Sequence, residues 1–291
     1  MTHDPISRFR RFARSVTTEV GALDESFLGR GRSLGAARVL NAIGHGRTDV
    51  AEVRQYLNLD SGLLSRLLRQ LESEGLITLS PHPTDARARI AALTPLGRSE
   101  FDAYEGISNT RASELFARHP RPEALLAAMD LIASALGQDR ITIEERDPRD
   151  PQSLFCLNEY YAELGRRFKT GFDVNLSCDP QATDMIPPRG AFLVAMSDGM
   201  PIGCVGVKGH GGDTAEIKRL WIAPSARGLG LSKRLMTAAE TRARELGIST
   251  LRLDTNSALP EAVRLYQTTG WTEIDRFNDD PYPDHFYEKR I

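Results

Sequence analysis

Glu216-Ile217-Lys218-Arg219-Leu220-Trp221-Ile222-Ala223-Pro224-Ser225-Ala226-Arg227-Gly228-Leu229-Gly230-Leu231-Ser232 decides how the second half of this chain is read. Up to Ile222 the residues have the aliphatic and aromatic content of a strand. Pro224 and two glycines then mark a turn, and a helical run follows over about 229–246. A turn that opens a helix leaves backbone N–H groups without partners, and those donors make a place for an anion. Gly228 and Gly230 let the backbone approach a phosphate and take dihedrals that other residues avoid. Arg227 adds a positive charge. A pyrophosphate suits this arrangement, although an ordinary strand-to-helix loop has the same local look, so the neighbours must decide.

Outward from this loop the pattern is regular. Ahead of it lie a strand over 141–143, a helix over 152–169, and strands over 191–197, 202–208 and 215–222. Behind it come a strand over 249–254, a helix over 259–269 and two terminal strands. Strands interleaved with helices in this order predict an α/β domain with a mixed sheet.

The loop resembles motif A of the GNAT acetyltransferases, Arg/Gln-x-x-Gly-x-Gly/Ala after a strand that ends aliphatic-aromatic-aliphatic-x-Pro. Ser232 stands at the last Gly/Ala position, a small residue but a departure from the commonest pattern. Ala262-Val263-Arg264-Leu265-Tyr266-Gln267-Thr268-Thr269-Gly270-Trp271 matches the family's Ala-x-x-Leu-Tyr-x-x-x-Gly-aromatic run. The resemblance covers about 141–291 and implies a GNAT fold, a mixed β-sheet flanked by helices, with acetyl-CoA as cofactor. It implies a pantetheine arm along Leu220, Trp221 and Ile222 and a diphosphate on Arg227, Gly228, Leu229, Gly230, Leu231 and Ser232. Asn256 ends the following strand, as in many relatives. The sheet is expected to splay after the pre-loop strand.

Acetyl transfer needs a neutral amine, so a base must take a proton. Glu216 sits where several relatives carry that base, or it pairs with Lys218 or Arg219. Tyr266 sits where the family's donor to the leaving thiolate sits, or it is a packed helix tyrosine. A backbone N–H near Ile222 would meet the oxyanion. The acidic, aromatic stretch 279–287 either holds a cationic amine or forms a plain hairpin tip. His210 and His285 read as surface residues.

The first half reads as helices over 5–28, 33–43, 50–57 and 61–74. A hairpin follows over 76–93, then helices over 95–118 and 122–136. Ser33, Thr48-Asp49, Asp60-Ser61 and Thr94 are the expected N-caps. In the fourth helix Leu64, Leu67, Leu68 and Leu71 make one buried stripe, while Ser61, Ser65 and Arg69 make a polar row with Arg66 beside it. Short side chains let such a helix sit in a major groove, where arginine forks reach bases or phosphates. Asp85, Arg87 and Arg89 lie on or beside the hairpin tip, where the arginines would enter a minor groove. The bland alternative is one amphipathic helix next to one hairpin.

This half resembles the MarR regulators in Ser65-Arg66-Leu67-Leu68, Asp85-Ala86-Arg87 and Leu93-Thr94-Pro95-Leu96-Gly97-Arg98, over about 5–137. The resemblance implies a winged helix-turn-helix, mostly α with a β-hairpin wing. It also implies a homodimer through the first and last helices, reading a pseudo-palindromic operator in double-stranded DNA. MarR wings often carry two adjacent arginines after the Asp; here Ala86 takes the first slot.

The chain has 291 residues, which suits two domains, read as 1–138 and 139–291. Its net charge of -2 excludes a protein that is basic throughout, so any nucleic-acid face is local. Residues 1–140 hold 18 Arg, no Lys and 17 acidic residues. Arginine forks suit phosphate and guanine contacts, though codon usage gives the same bias. Three widely spaced cysteines form no zinc or disulfide pattern, no metal site is expected, and a cytoplasmic setting without membrane association follows. The expected function is bifunctional: DNA binding joined to acetyl transfer from acetyl-CoA to an amine of a small molecule or protein. The alternative is a DNA-binding regulator whose second half senses acyl-CoA without turnover.

Overall fold

The computed structural model describes residues 4–85, 88–169, 171–176 and 182–291. Two compact units divide the chain, Met1–Pro122 and Glu123–Ile291.

In the first unit α1 spans Pro5–Glu19, capped by Asp4. The sequence pattern placed its end at residue 28. The helix stops earlier because Gly21 takes a φ of 65° and its N–H turns back to the Thr18 carbonyl. No α1 residue is buried, and Ile6 and Phe9 stand exposed. Then follow α2 (Leu34–Gly44), α3 (Val50–Leu57) and α4 (Ser61–Ser73). Their N-caps are those read from the sequence: Ser33, Asp49 and Asp60 each accept a backbone N–H. Strands β1 (Ile77–Pro81) and β2 (Arg89–Leu93) pair antiparallel, and Thr48 extends the hairpin by accepting the Ala91 N–H at 2.8 Å.

Helix α5 (Pro95–Arg118) starts at Thr94, whose Oγ1 accepts the Gly97 N–H at 3.0 Å. Gly97 has a reason to be glycine: a Cβ there would meet the Leu76 carbonyl oxygen at 1.8 Å. Val39, Leu40, Leu64, Leu68, Leu71, Leu76 and Ala91 form the core between α2, α4 and the hairpin. Glu100 ties the unit together by accepting from Arg30 (Nε, 3.0 Å) and Arg32 (Nη1, 2.8 Å), while Arg32 also reaches Glu74.

The second unit takes in α6 (Pro122–Leu136), which runs through one 3-10 turn into β3 (Thr142–Glu145). The boundary read at 138/139 falls inside this unit, since the contact division comes at Pro122/Glu123. Next come α7 (Pro151–Arg167), β4 (Ala191–Ser197), β5 (Met200–Gly209), β6 (Thr214–Ile222), α8 (Leu231–Glu245) and β7 (Thr250–Thr255). Helix α9 (Pro260–Thr268), β8 (Thr272–Glu273) and β9 (His285–Arg290) close the chain. The strands form one mixed sheet in the order β3-β4-β5-β6-β7-β9-β8, with β6 and β7 parallel.

Alternate residues of β4 separate the two faces of this sheet. Phe192, Val194 and Met196 pack with Cys156 and Leu157 of α7. Ala191, Leu193 and Ala195 pack with Leu231, Leu235 and Ala239 of α8. Strands covered on both faces explain the continuous apolar runs of β4 and β5.

Candidate functional site

Strand β6 makes the site by pairing unequally on its two sides. Against β5 it pairs over its length, from Gly209↔Ala215 to Gly203↔Ile222. Against β7 it pairs only over Thr214–Ile217, ending at Ile217↔Leu253. Beyond that point the two parallel strands part, and Lys218–Ile222 keep a backbone edge on that side with no pairing among the described residues. The expected splay is thus present. A register shift opposite Arg219, which takes a φ of 58°, bulges the strand at the start of the gap.

The loop after β6 has the shape an anion needs. Gly228 and Gly230 have φ of 81° and 74°, in the left-handed region where glycine is at ease. Gly230 is the N-cap of α8 and offers no side-chain acceptor. The first helical backbone bond is Arg234 N–H to Gly230 at 3.3 Å, so the amides of 231–233 point outward without a helix partner. Gly228, Gly230, Leu231 and Ser232 line a groove together with Leu220, Trp221, Ile222 and Arg227. Of the residues expected at the cofactor, Leu229 is half-buried outside this lining, and Asn256 belongs to the neighbouring cleft.

Arg227 is engaged already. Its Nη2 lies 2.5 Å from Glu163 Oε2 on α7, and its Nε donates to the Ile222 carbonyl at 3.1 Å. The same Glu163 oxygen accepts from Trp221 Nε1 at 3.2 Å. Arg167 joins Glu163 (3.1 Å) to Glu261 of α9 across the groove. No sequence motif marks Glu163, Arg167 or Glu261, since their roles arise where α7 meets α9 and the loop after β6.

A second cleft adjoins the first and shares Tyr160, Leu164, Leu220, Leu259 and Ala262 with it. Aromatic rings form one wall: Phe172 and Tyr282 have centroids 4.8 Å apart, and Phe168 lies 5.8 Å from Tyr282. Charged residues form the floor, Lys208, Lys218, Arg219, Asp254 and Asp280. Lys218 Nζ lies 2.5 Å from Asp254 and 3.1 Å from Glu216. Burial works against its charge, but those two carboxylates raise its pKa. Asp280 is buried, and that burial pushes its pKa up. Asn256 lines this cleft and donates to the Tyr282 carbonyl at 2.6 Å, fixing the 279–284 loop.

Tyr266 is 5% exposed and lines this second cleft. Burial, then the nearby Asp254, drives its pKa upward, so it keeps its proton. Its hydroxyl makes no hydrogen bond among the described residues. Glu216 does not line the cleft. It is buried beneath it, 2.7 Å from His210 Nε2. Burial raises its pKa, but Lys218 and His210 outweigh that and hold it low. His210 is exposed, as read from the sequence, and its ring also contacts Glu216.

In the first unit, α4 buries Leu64, Leu67, Leu68 and Leu71 and exposes Ser61, Ser65, Arg66 and Arg69. Arg69 Nε donates to the Ser65 carbonyl at 3.2 Å. Asp85 and Arg89 are exposed on the hairpin, and Ala86 and Arg87 lie outside the described residues.

Comparison with known proteins gives two family matches, the acetyltransferase (GNAT) family over residues 157–271 and the MarR family over residues 30–88. An IAA acetyltransferase of Azospirillum brasilense is 35% identical over 144 residues, 49% of this chain and 90% of that one. The uncharacterised N-acetyltransferase YjgM of Escherichia coli is 29% identical over 143 residues, 47% of this chain and 81% of that one. An uncharacterised N-acetyltransferase of Schizosaccharomyces pombe is 38% identical over 103 residues, 35% of this chain and 63% of that one. Among solved structures, a GNAT-family acetyltransferase of Staphylococcus aureus aligns with a TM-score of 0.46 at 19% identity, over 52% of this chain and 98% of that one.

Proposed function

The chain belongs to the GNAT acetyltransferase family and carries a MarR-family domain ahead of that fold, and from this premise we propose a DNA-binding regulator that also transfers an acetyl group from acetyl-CoA to an amine. One observation carries the enzymatic part: the uncapped N-terminus of α8 and the free edge of β6 lead into a cleft lined by Tyr266. The α8 amides would hold the diphosphate, and the β6 edge would hold the pantetheine arm as an added strand.

In this reading the amine nitrogen attacks the thioester carbonyl, and the C–N bond forms. A backbone N–H near Ile222 stabilises the oxyanion. As the C–S bond breaks, the thiolate takes the Tyr266 proton. The amine's own proton goes to a carboxylate. Asp280 faces the cleft, and its raised pKa makes it the better acceptor. Glu216 serves through water or by anchoring Lys218. Incubation with acetyl-CoA and a panel of amines tests this: thiol release is expected for wild type and a fall of about 100-fold or more in kcat for Tyr266→Phe. No release above background for any amine sinks the enzymatic reading.

The exposed row of Ser61, Ser65, Arg66 and Arg69, with Asp85 and Arg89 exposed on the hairpin, supports DNA binding. The bare apolar residues of α1 and α6, Ile6, Phe9, Leu131 and Leu136 among them, support a homodimer. A second reading makes the acetyl-CoA site a sensor without turnover. It is favoured by Arg227, whose charge Glu163 already satisfies. A coupling of about 1–3 kcal/mol would shift DNA affinity roughly 5- to 150-fold on saturation with acetyl-CoA. An unchanged affinity in fluorescence anisotropy counts against it.

A further inference from the structure

We infer that the acceptor is an amine that also bears a carboxylate and a flat apolar group; this rests on the acetyl-transfer reading above. Lys208 carries the inference. It stands on β5, is 5% exposed and lines the second cleft. Among the described residues it makes no hydrogen bond and no ion pair. A buried ammonium is costly unless an anion meets it.

The other floor charges have partners. Lys218 holds Asp254 and Glu216, Asn278 also donates to Asp254 at 2.6 Å, and Arg219, the third cation of the lining, lies over the Tyr161 ring. Glu216 faces Lys208 across the β5–β6 pair and attracts it, but its close contacts are His210 and Lys218. Lys208 is therefore the cation left for a guest. Asp280, in the same cleft as Tyr266, suits the guest's amine. Phe168, Phe172 and Tyr282 suit a ring or other flat apolar part. A zwitterion also keeps the floor balanced, since it adds one charge of each sign to a cluster that already mixes both.

Binding of a product pair tests this without turnover. N-acetylphenylalanine and N-acetylphenethylamine differ by the carboxylate alone, and calorimetry in the presence of coenzyme A reads each against wild type, Lys208→Met and Lys208→Arg. Wild type is expected to bind the carboxylated compound about tenfold tighter or more, because the site's charge is otherwise left unpaired. Lys208→Met should bring the two within about twofold, and Lys208→Arg should restore most of the preference. Equal affinity in wild type, equal weakening of both by Lys208→Met, or no binding of either compound overturns the inference. If Lys208→Met does not fold, the wild-type comparison decides alone. Coenzyme A affinity and thiol release are measured on the same samples. Loss of coenzyme A binding, or binding without release from phenylalanine or any amine, strikes the acetyl-transfer reading. The carboxylate preference is judged separately.

Discussion

Two helix beginnings carry the two halves of this protein, and they are built in opposite ways. Helix α4 is capped: Asp60 Oδ1 accepts the Leu63 N–H at 2.8 Å, and the residues it presents are the exposed side chains of Ser61, Ser65, Arg66 and Arg69. Helix α8 is open: Gly230 has no side chain to offer, and the following amides are left for a guest. A capped helix recognises through its side chains, and an uncapped one recognises through its backbone. The first suits the edges of DNA bases, and the second suits a phosphate whose chemistry never varies.

Exchanging the two designs gives the largest expected effect. Gly230→Asp would place a carboxylate over the α8 amides, and asparagine or aspartate tolerates a positive φ better than most residues. Acetyl-CoA affinity should fall about 100-fold or more by calorimetry, with circular dichroism unchanged. Affinity within a few-fold of wild type would mean the open N-terminus is not the anion site. On α4 the side chains are the test. Arg66→Ala should weaken DNA binding about tenfold, and the salt slope should fall by about one if the contact is to phosphate. Anisotropy titrations at several salt concentrations read both. The cap itself should matter less: Asp60→Ala is expected to cost about 1 kcal/mol in chemical denaturation while leaving acetyl-CoA affinity unchanged.

The smallest effect concerns Asp280 and has a sign that can be checked. Its pKa is higher folded than unfolded, because burial penalises its charge. The folded state therefore binds its proton more strongly, and stability falls as pH rises from the unfolded pKa through the folded one. At neutral pH the ionised group is a net cost. Asp280→Asn should thus raise the melting temperature slightly at pH 7 while lowering kcat. A variant that loses both stability and activity would make Asp280 a structural residue.

The open helix was also the more legible of the two sites. Gly228, Gly230 and Ser232 fall within five residues of chain and act through backbone geometry, so one short motif shows them together. The caps Ser33, Asp49, Asp60 and Thr94 were legible for the same reason, because a cap acts within a few residues of its own position. Side chains that meet across the fold were not. Lys208, Asp254 and Asp280 come from three separate segments, and Glu163 meets Arg227 across 64 positions of sequence. Periodicity says which face of a strand is buried, but it does not say what lies opposite. Helix α1 misled for a related reason: the apolar spacing continued past Glu19, but a single glycine at position 21 outweighed it.

The parting of β6 from β7 has a consequence for what can enter. An unpaired strand edge on the outside of a sheet invites other chains to stack on it and aggregate. This edge lies inside the sheet, with β5 behind it and β7 beginning just below, so no bulky strand from another molecule can come alongside. A guest that lies along this edge must fit between two strands that are still joined at one end, so the fork selects by shape before any chemistry is read.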